Sequence, residues 1–187
     1  MILLPNHLTI LRMFLTPVFV ILFWIGGAAT LPAILIFIIA SVTDSLDGYL
    51  ARRLDKMSDW GAFWDPLADK VLVGSAFICF AFKALIAWWV VALIFFRDFL
   101  VTHLRMYTLK KGYTLQTTKL AKFKTVMQVA AIYGIFAQVW VHQGFAGSAL
   151  DAWTTTISQA MVYGMLGLVV YTGLDYALKI WMKGRGR

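Results

Sequence analysis

Apolar runs close to 20 residues long recur along this chain, and they limit the folds open to it. A helix needs about 20 apolar residues to cross the hydrocarbon core of a bilayer. Six such stretches stand out, over about 14–26, 32–50, 63–82, 87–107, 123–141 and 155–181. Charged residues make up 14% of the 187 and hydrophobic ones 61%, where a soluble domain carries about a quarter charged. The expected fold is an all-α integral membrane protein, residues 1–187 forming one domain of six transmembrane helices. An amphipathic interfacial helix over about 2–12 leads in, with Leu3, Ile10 and Leu11 set against Asn6, His7 and Arg12. The lone cysteine, Cys79, excludes an intrachain disulfide and reads as a small buried hydrophobe. His7, His103 and His142 stand isolated in sequence and suggest no role.

Lysine and arginine give the orientation. With both termini and the loops after the second and fourth spans in the cytoplasm, only Lys83 of the 17 basic residues lies on the opposite side. No basic region or convincing cleavage site marks a signal peptide. The net charge of +8 thus becomes a one-sided positive face, suited to anionic lipid headgroups. No nucleic-acid partner is expected.

Against that background the acidic residues are unevenly placed. The chain has no glutamate, and six of its nine aspartates fall between residues 43 and 70, in TDSLDGYLARRLDKMSDWGAFWDPLADK. Asp44 and Asp47 are three apart at the end of the second span, and Asp65 and Asp69 are four apart at the start of the third. On a helix each spacing keeps a pair on one face, and a short connection sets the helices antiparallel. Four carboxylates sharing a site must protonate or acquire cations, and oxygen-only donors select hard divalent ions. Pairing with Arg52, Arg53 or Lys70 is the plainer alternative, but ionisable groups at membrane depth usually mark function. A divalent-cation path would use the same residues, although no acidic partners continue across the membrane and the nearby basic residues would repel the ion. Around Pro66 either a helix starts, with Asp65 as its cap, or a helix bends.

The spacing continues as Asp44, Asp47-Gly48, Ala51-Arg52, Gly61, Asp65 and Asp69, eight fixed residues over 26 positions. This pattern resembles the signature of the CDP-alcohol phosphotransferase family at every position. Pro5, Asn6, Thr9 and Arg12, then Arg97, Arg105, Lys122, Lys124, Thr125 and Gln128, resemble further motifs of its branch that uses glycerol 3-phosphate. Asp98 stands where that branch usually has glutamate, and Ala121 where it has glycine. The resemblance implies transfer of a phosphatidyl group from CDP-diacylglycerol to an alcohol, with release of CMP. It implies two divalent ions, Mg²⁺ or Mn²⁺, held by Asp44, Asp47, Asp65 and Asp69, with Asp69 also the general base. It places Asn6, Thr9, Gly48, Arg52 and Gly61 around the nucleotide donor. A homodimer in the bacterial inner membrane, with its active site facing the cytoplasm, follows from the same resemblance.

The residue chemistry runs parallel to it. A pyrophosphate donor needs its charge screened as CMP leaves. Gly48 allows close backbone approach, and Gly48, Ala51 and Gly61 equally suit helix packing. Arg52 offers a fork of donors for phosphate or for a headgroup. Farther on, Arg97, Arg105, Lys122 and Lys124 form a basic set. Nine apolar residues, 88–96, directly precede Arg97, so it is expected below the surface, about 12 Å deeper along its helix than Arg105. A buried arginine needs an anion, and Asp98 is expected to point elsewhere on the helix. A phosphate on the acceptor is the expected partner, with glycerol 3-phosphate as substrate. The alternatives are serine, inositol phosphate or phosphatidylglycerol. Asp175 is expected to pair with Lys179 one turn on.

Overall fold

The computed structural model describes residues 4–54, 59–110 and 119–185, with side chains described at 11–43, 70–104, 106, 108, 123–180 and 182. Six helices occupy them: α1 (Leu4–Ile25), α2 (Thr30–Leu54), α3 (Asp59–Phe82), α4 (Trp88–Lys110), α5 (Lys119–Phe145) and α6 (Ala149–Arg185), with a 3-10 turn at Gly27–Ala29. No strand occurs among the described residues. The chain divides into two compact units, residues 1–83 and 84–187.

In the first unit α1 packs on both α2 and α3, and α2 touches α3. The buried positions follow the helical repeat. Ala33, Phe37 and Ala40 form one stripe of α2, and Leu72, Ala76, Cys79 and Phe80 one stripe of α3. Phenylalanines join the stripes: Phe19 meets Phe37 at 5.3 Å between ring centroids, and Phe23 meets Phe80 at 5.5 Å in an edge-on contact. The end of α1 turns through Gly26 and Gly27, both at positive φ, where glycine has no Cβ penalty. Lys83 closes this end by donating from Nζ to the Trp24 carbonyl at 2.9 Å.

The expected interfacial lead-in is not a separate element. A single helix runs from Leu4 through Met13 into the apolar run, and Arg12, expected on its polar side, is buried. Pro17 lies inside the same helix. The choice at Pro66 is also decided in part: α3 begins at Asp59, so Asp65 caps no helix start and Pro66 falls in the helix interior.

In the second unit α6 packs along α5 and against α4. Val90 and Ile94 of α4, Ile132 and Ile135 of α5, and Met165 and Val169 of α6 are all buried. Gly134 permits the close approach of α5 and α6, because a Cβ there would lie 2.9 Å from Met161 Sδ and 3.6 Å from Ser158 Cα. Ser158 also donates to Gln138 Oε1 at 2.5 Å across this seam.

The α6 helix starts six residues before the expected span because of its capping. Ser148 Oγ accepts from the Asp151 amide at 3.2 Å, and Asp151 Oδ2 accepts from the Gly147 amide at 3.1 Å. Ser148 thus caps the helix through the third-position amide, and Asp151 reaches back past the cap to the amide of Gly147. His142, expected to be isolated, instead sets Nδ1 3.0 Å from Asp151 Oδ2.

Two helical stretches are long and apolar enough to cross a membrane, Phe123–Phe145 and Ala149–Ile180, and Leu11–Ile25, Gly27–Thr43 and Lys70–Phe82 are shorter apolar helices. Large apolar side chains face outward on the helices, among them Phe14, Trp24, Ile39, Phe99, Val126 and Leu174. A soluble monomer rarely exposes contiguous apolar surface on this scale, and lipid is the solvent that accommodates it.

Candidate active site

Backbone structure around the aspartates comes first. Asp44 and Asp47 lie within the C-terminal half of α2, and Asp65 and Asp69 within the N-terminal half of α3. All four positions are therefore helical, one turn apart within each pair, on two helices that touch. Their side chains lie outside those described, as do those of Asn6, Thr9, Gly48, Arg52, Gly61, Arg105 and Lys122. Among the described residues no three His, Cys, Asp or Glu side chains converge. As a donor set the four fit a hard divalent cation: carboxylates at helical spacing on touching helices supply only oxygen.

The second unit gathers a different kind of cluster. Asp98 Oδ1 accepts from Arg97 Nη1 at 3.0 Å and from Lys124 Nζ at 2.5 Å, so one carboxylate oxygen links α4 to α5. Arg97 Nη2 donates to Thr172 Oγ1 at 3.0 Å, which adds α6. The three charged side chains are 12% (Arg97), 5% (Lys124) and 26% (Asp98) exposed. The stem of Arg97 passes over Gly173, where an added Cβ would stand 3.3 Å from Arg97 Cγ. Buried nearby in sequence are Gln128, one turn beyond Lys124 on α5, and Tyr176, one turn beyond Thr172 on α6.

This geometry corrects one expectation. Asp98 does not point away from Arg97. Adjacent positions are about 100° apart on a helix, but the guanidinium is long enough to bend back to its neighbour's carboxylate. Arg97 thus has an anionic partner within the chain. The structure brings Arg97 and Lys124 together through Asp98, which pattern reading names but aims away from Arg97. Counting charges would have suggested the link, since Asp98 is the only acid between Asp69 and Asp151, amid nine basic residues. Thr172 carries no comparable sequence signal. The expected Asp175–Lys179 pair forms, at 2.6 Å.

Helical across nearly all its described residues, with large apolar side chains facing outward and a shielded cluster of charged side chains, the chain is of the helical membrane transferase class. It belongs to the CDP-alcohol phosphatidyltransferase family, whose family model matches residues 2–172. Members of that family are generally dependent on divalent cations. The chain is similar to a Mycobacterium tuberculosis protein named probable phosphatidylglycerophosphate synthase, at 36% identity over 180 residues, covering 94% of this chain and 80% of the relative. It is 33% identical over 174 residues to the CDP-diacylglycerol–glycerol-3-phosphate 3-phosphatidyltransferase of Rickettsia typhi, covering 92% of this chain and 94% of that one. The Bacillus subtilis protein of the same name is 39% identical over 142 residues, 69% of this chain and 74% of the relative.

Proposed function

We propose that the protein transfers the phosphatidyl group of CDP-diacylglycerol to glycerol 3-phosphate, releasing CMP and forming phosphatidylglycerophosphate for phospholipid synthesis. The observation that carries this reading is the similarity, over most of the chain, to proteins named for that reaction.

Asp44, Asp47, Asp65 and Asp69 would hold two divalent ions, Mg²⁺ or Mn²⁺. Bound there, such ions supply charge screening for the donor's pyrophosphate and for the departing CMP. Asp69 takes the proton of the acceptor hydroxyl. The hydroxyl oxygen bonds to the phosphorus bearing the diacylglycerol, and the phosphoanhydride bond to CMP breaks. Asn6, Thr9, Gly48, Arg52 and Gly61 contact the nucleotide part of the donor. Arg97, Arg105, Lys122 and Lys124 receive the acceptor's phosphate, by charge-assisted hydrogen bonds of the kind that bind phosphate strongly.

We propose further that residues 1–187 act as one membrane domain. One family model running across both compact units supports this. The distribution of lysine and arginine supports six spans with both termini in the cytoplasm. The protein would sit in the bacterial inner membrane as a homodimer, its site open to the cytoplasm and its basic face against anionic lipids. The test is CMP release by purified protein in detergent, with CDP-diacylglycerol and each candidate acceptor in turn. Glycerol 3-phosphate is expected to be the best acceptor, with free serine and free glycerol poor.

A further inference from the structure

The Arg97–Asp98–Lys124 cluster sets two cations on one carboxylate oxygen in a place where all three side chains are mostly shielded from water. Like charges repel strongly where water is scarce. A single oxygen, Asp98 Oδ1, nevertheless brings Arg97 Nη1 and Lys124 Nζ to one point from two different helices. The rest of Arg97 is fixed from α6, by Thr172 Oγ1 at its head and Gly173 under its stem. Thr172 is itself held, donating to the Leu168 carbonyl at 2.7 Å. Lys124, on a flexible four-carbon stem, has no comparable fork geometry to orient it.

From this arrangement we infer that Asp98 is a positioning residue: it holds Lys124 beside Arg97 and so sets the affinity for the phosphate of the acceptor. The inference rests on the proposed function, which supplies the phosphorylated acceptor. Asp98 itself does not bind the acceptor, since a carboxylate repels phosphate. Its negative charge permits two cations to share a shielded site, and the donors of Arg97 and Lys124, held side by side, are what the phosphate meets. A neutral amide in its place keeps the shape but releases Lys124 from its ion pair.

The experiment is steady-state kinetics of full-length protein in detergent, varying glycerol 3-phosphate and CDP-diacylglycerol separately. Asp98→Asn should raise the KM for glycerol 3-phosphate about tenfold or more, the scale of one charge-assisted hydrogen bond lost. The KM for CDP-diacylglycerol and kcat at saturating acceptor should stay within about threefold. Asp98→Glu should restore most of the acceptor affinity, which a purely steric role would not predict. Lys124→Met should cost much less in the Asp98→Asn background than in wild type, because Lys124 is already misplaced there. Thr172→Val, which keeps every charge and frees one guanidinium nitrogen, should raise the same KM more modestly, and it guards against misfolding of the Asp98 variants. An unchanged acceptor KM in Asp98→Asn, equal rises for both substrates, or additive effects of the Asp98 and Lys124 changes would overturn the positioning role alone. Wild-type protein that ignores glycerol 3-phosphate would overturn it together with the parent reading.

Discussion

Replacing Asp69 by asparagine keeps the side chain's size and removes its ability to accept a proton. Turnover should fall by roughly 10²–10⁴-fold, the range for loss of a general base, while donor binding largely survives. Loss of donor binding without that fall would make Asp69 chiefly a metal ligand. Asp44→Ala, Asp47→Ala and Asp65→Ala should each abolish nearly all turnover in protein that remains folded in detergent. Sequence singles out the four aspartates because carboxylates are rare in apolar runs, and it pairs Asp175 with Lys179 because four residues make one turn, a pair that the structure forms. The linking role of Asp98 escapes for a physical reason. Its partners are a sequence neighbour reached by a bent guanidinium and a lysine 26 residues on, and no periodicity links such positions. The partnership of His142 with Asp151 escapes likewise, since it depends on the path of the turn between two helices.

At the level of elements, apolar run length locates all six helices but misjudges their ends. The α6 helix begins at Ala149 because Ser148 and Asp151 cap it, and a count of apolar residues does not register caps. Ser148→Ala should destabilise that end by about 1 kcal/mol, the usual cost of a lost N-cap, measurable as a lower unfolding midpoint in detergent. Lys83 shows the same limit from another side. By charge alone it is an exception to the topology, yet in the structure it supplies a cation to a late carbonyl of α1, where the helix dipole favours positive charge. Lys83→Met should therefore lower thermal stability with little change in KM for either substrate. If Lys83→Met were as stable as wild type, the cap would have no energetic weight. The α5–α6 seam gives a graded test. Gly134→Ala meets chiefly the flexible end of Met161 and should be tolerated, whereas Gly134→Leu would force the helices apart and should destabilise the second unit strongly.

For the molecule as a whole, composition and charge distribution carry the argument. The proposed six spans, with the basic residues on the cytoplasmic side, predict an orientation that labelling can check. In a Cys79→Ala background, a cysteine replacing Lys183 should react only with reagent on the cytoplasmic side, and one replacing Gln143 only from the opposite side. The same side for both would contradict six spans. Chelator should abolish turnover, and Mg²⁺ or Mn²⁺ should restore it, because the proposed ligands are all carboxylates. Full activity in excess chelator would remove the metal from the account. What the acceptor is, sequence pattern alone approaches only indirectly, through where cations lie. The structure joins Arg97 and Lys124 at one shielded point through Asp98, and the proposed phosphate pocket builds on that junction.

CMP release from CDP-diacylglycerol by the purified protein, with glycerol 3-phosphate, serine, inositol phosphate, phosphatidylglycerol and glycerol compared at equal concentration, tests the central claim most directly. The account predicts metal-dependent release that is fastest with glycerol 3-phosphate and slow with serine and glycerol. Release fastest with free serine, or no release beside metal uptake into proteoliposomes, would contradict it.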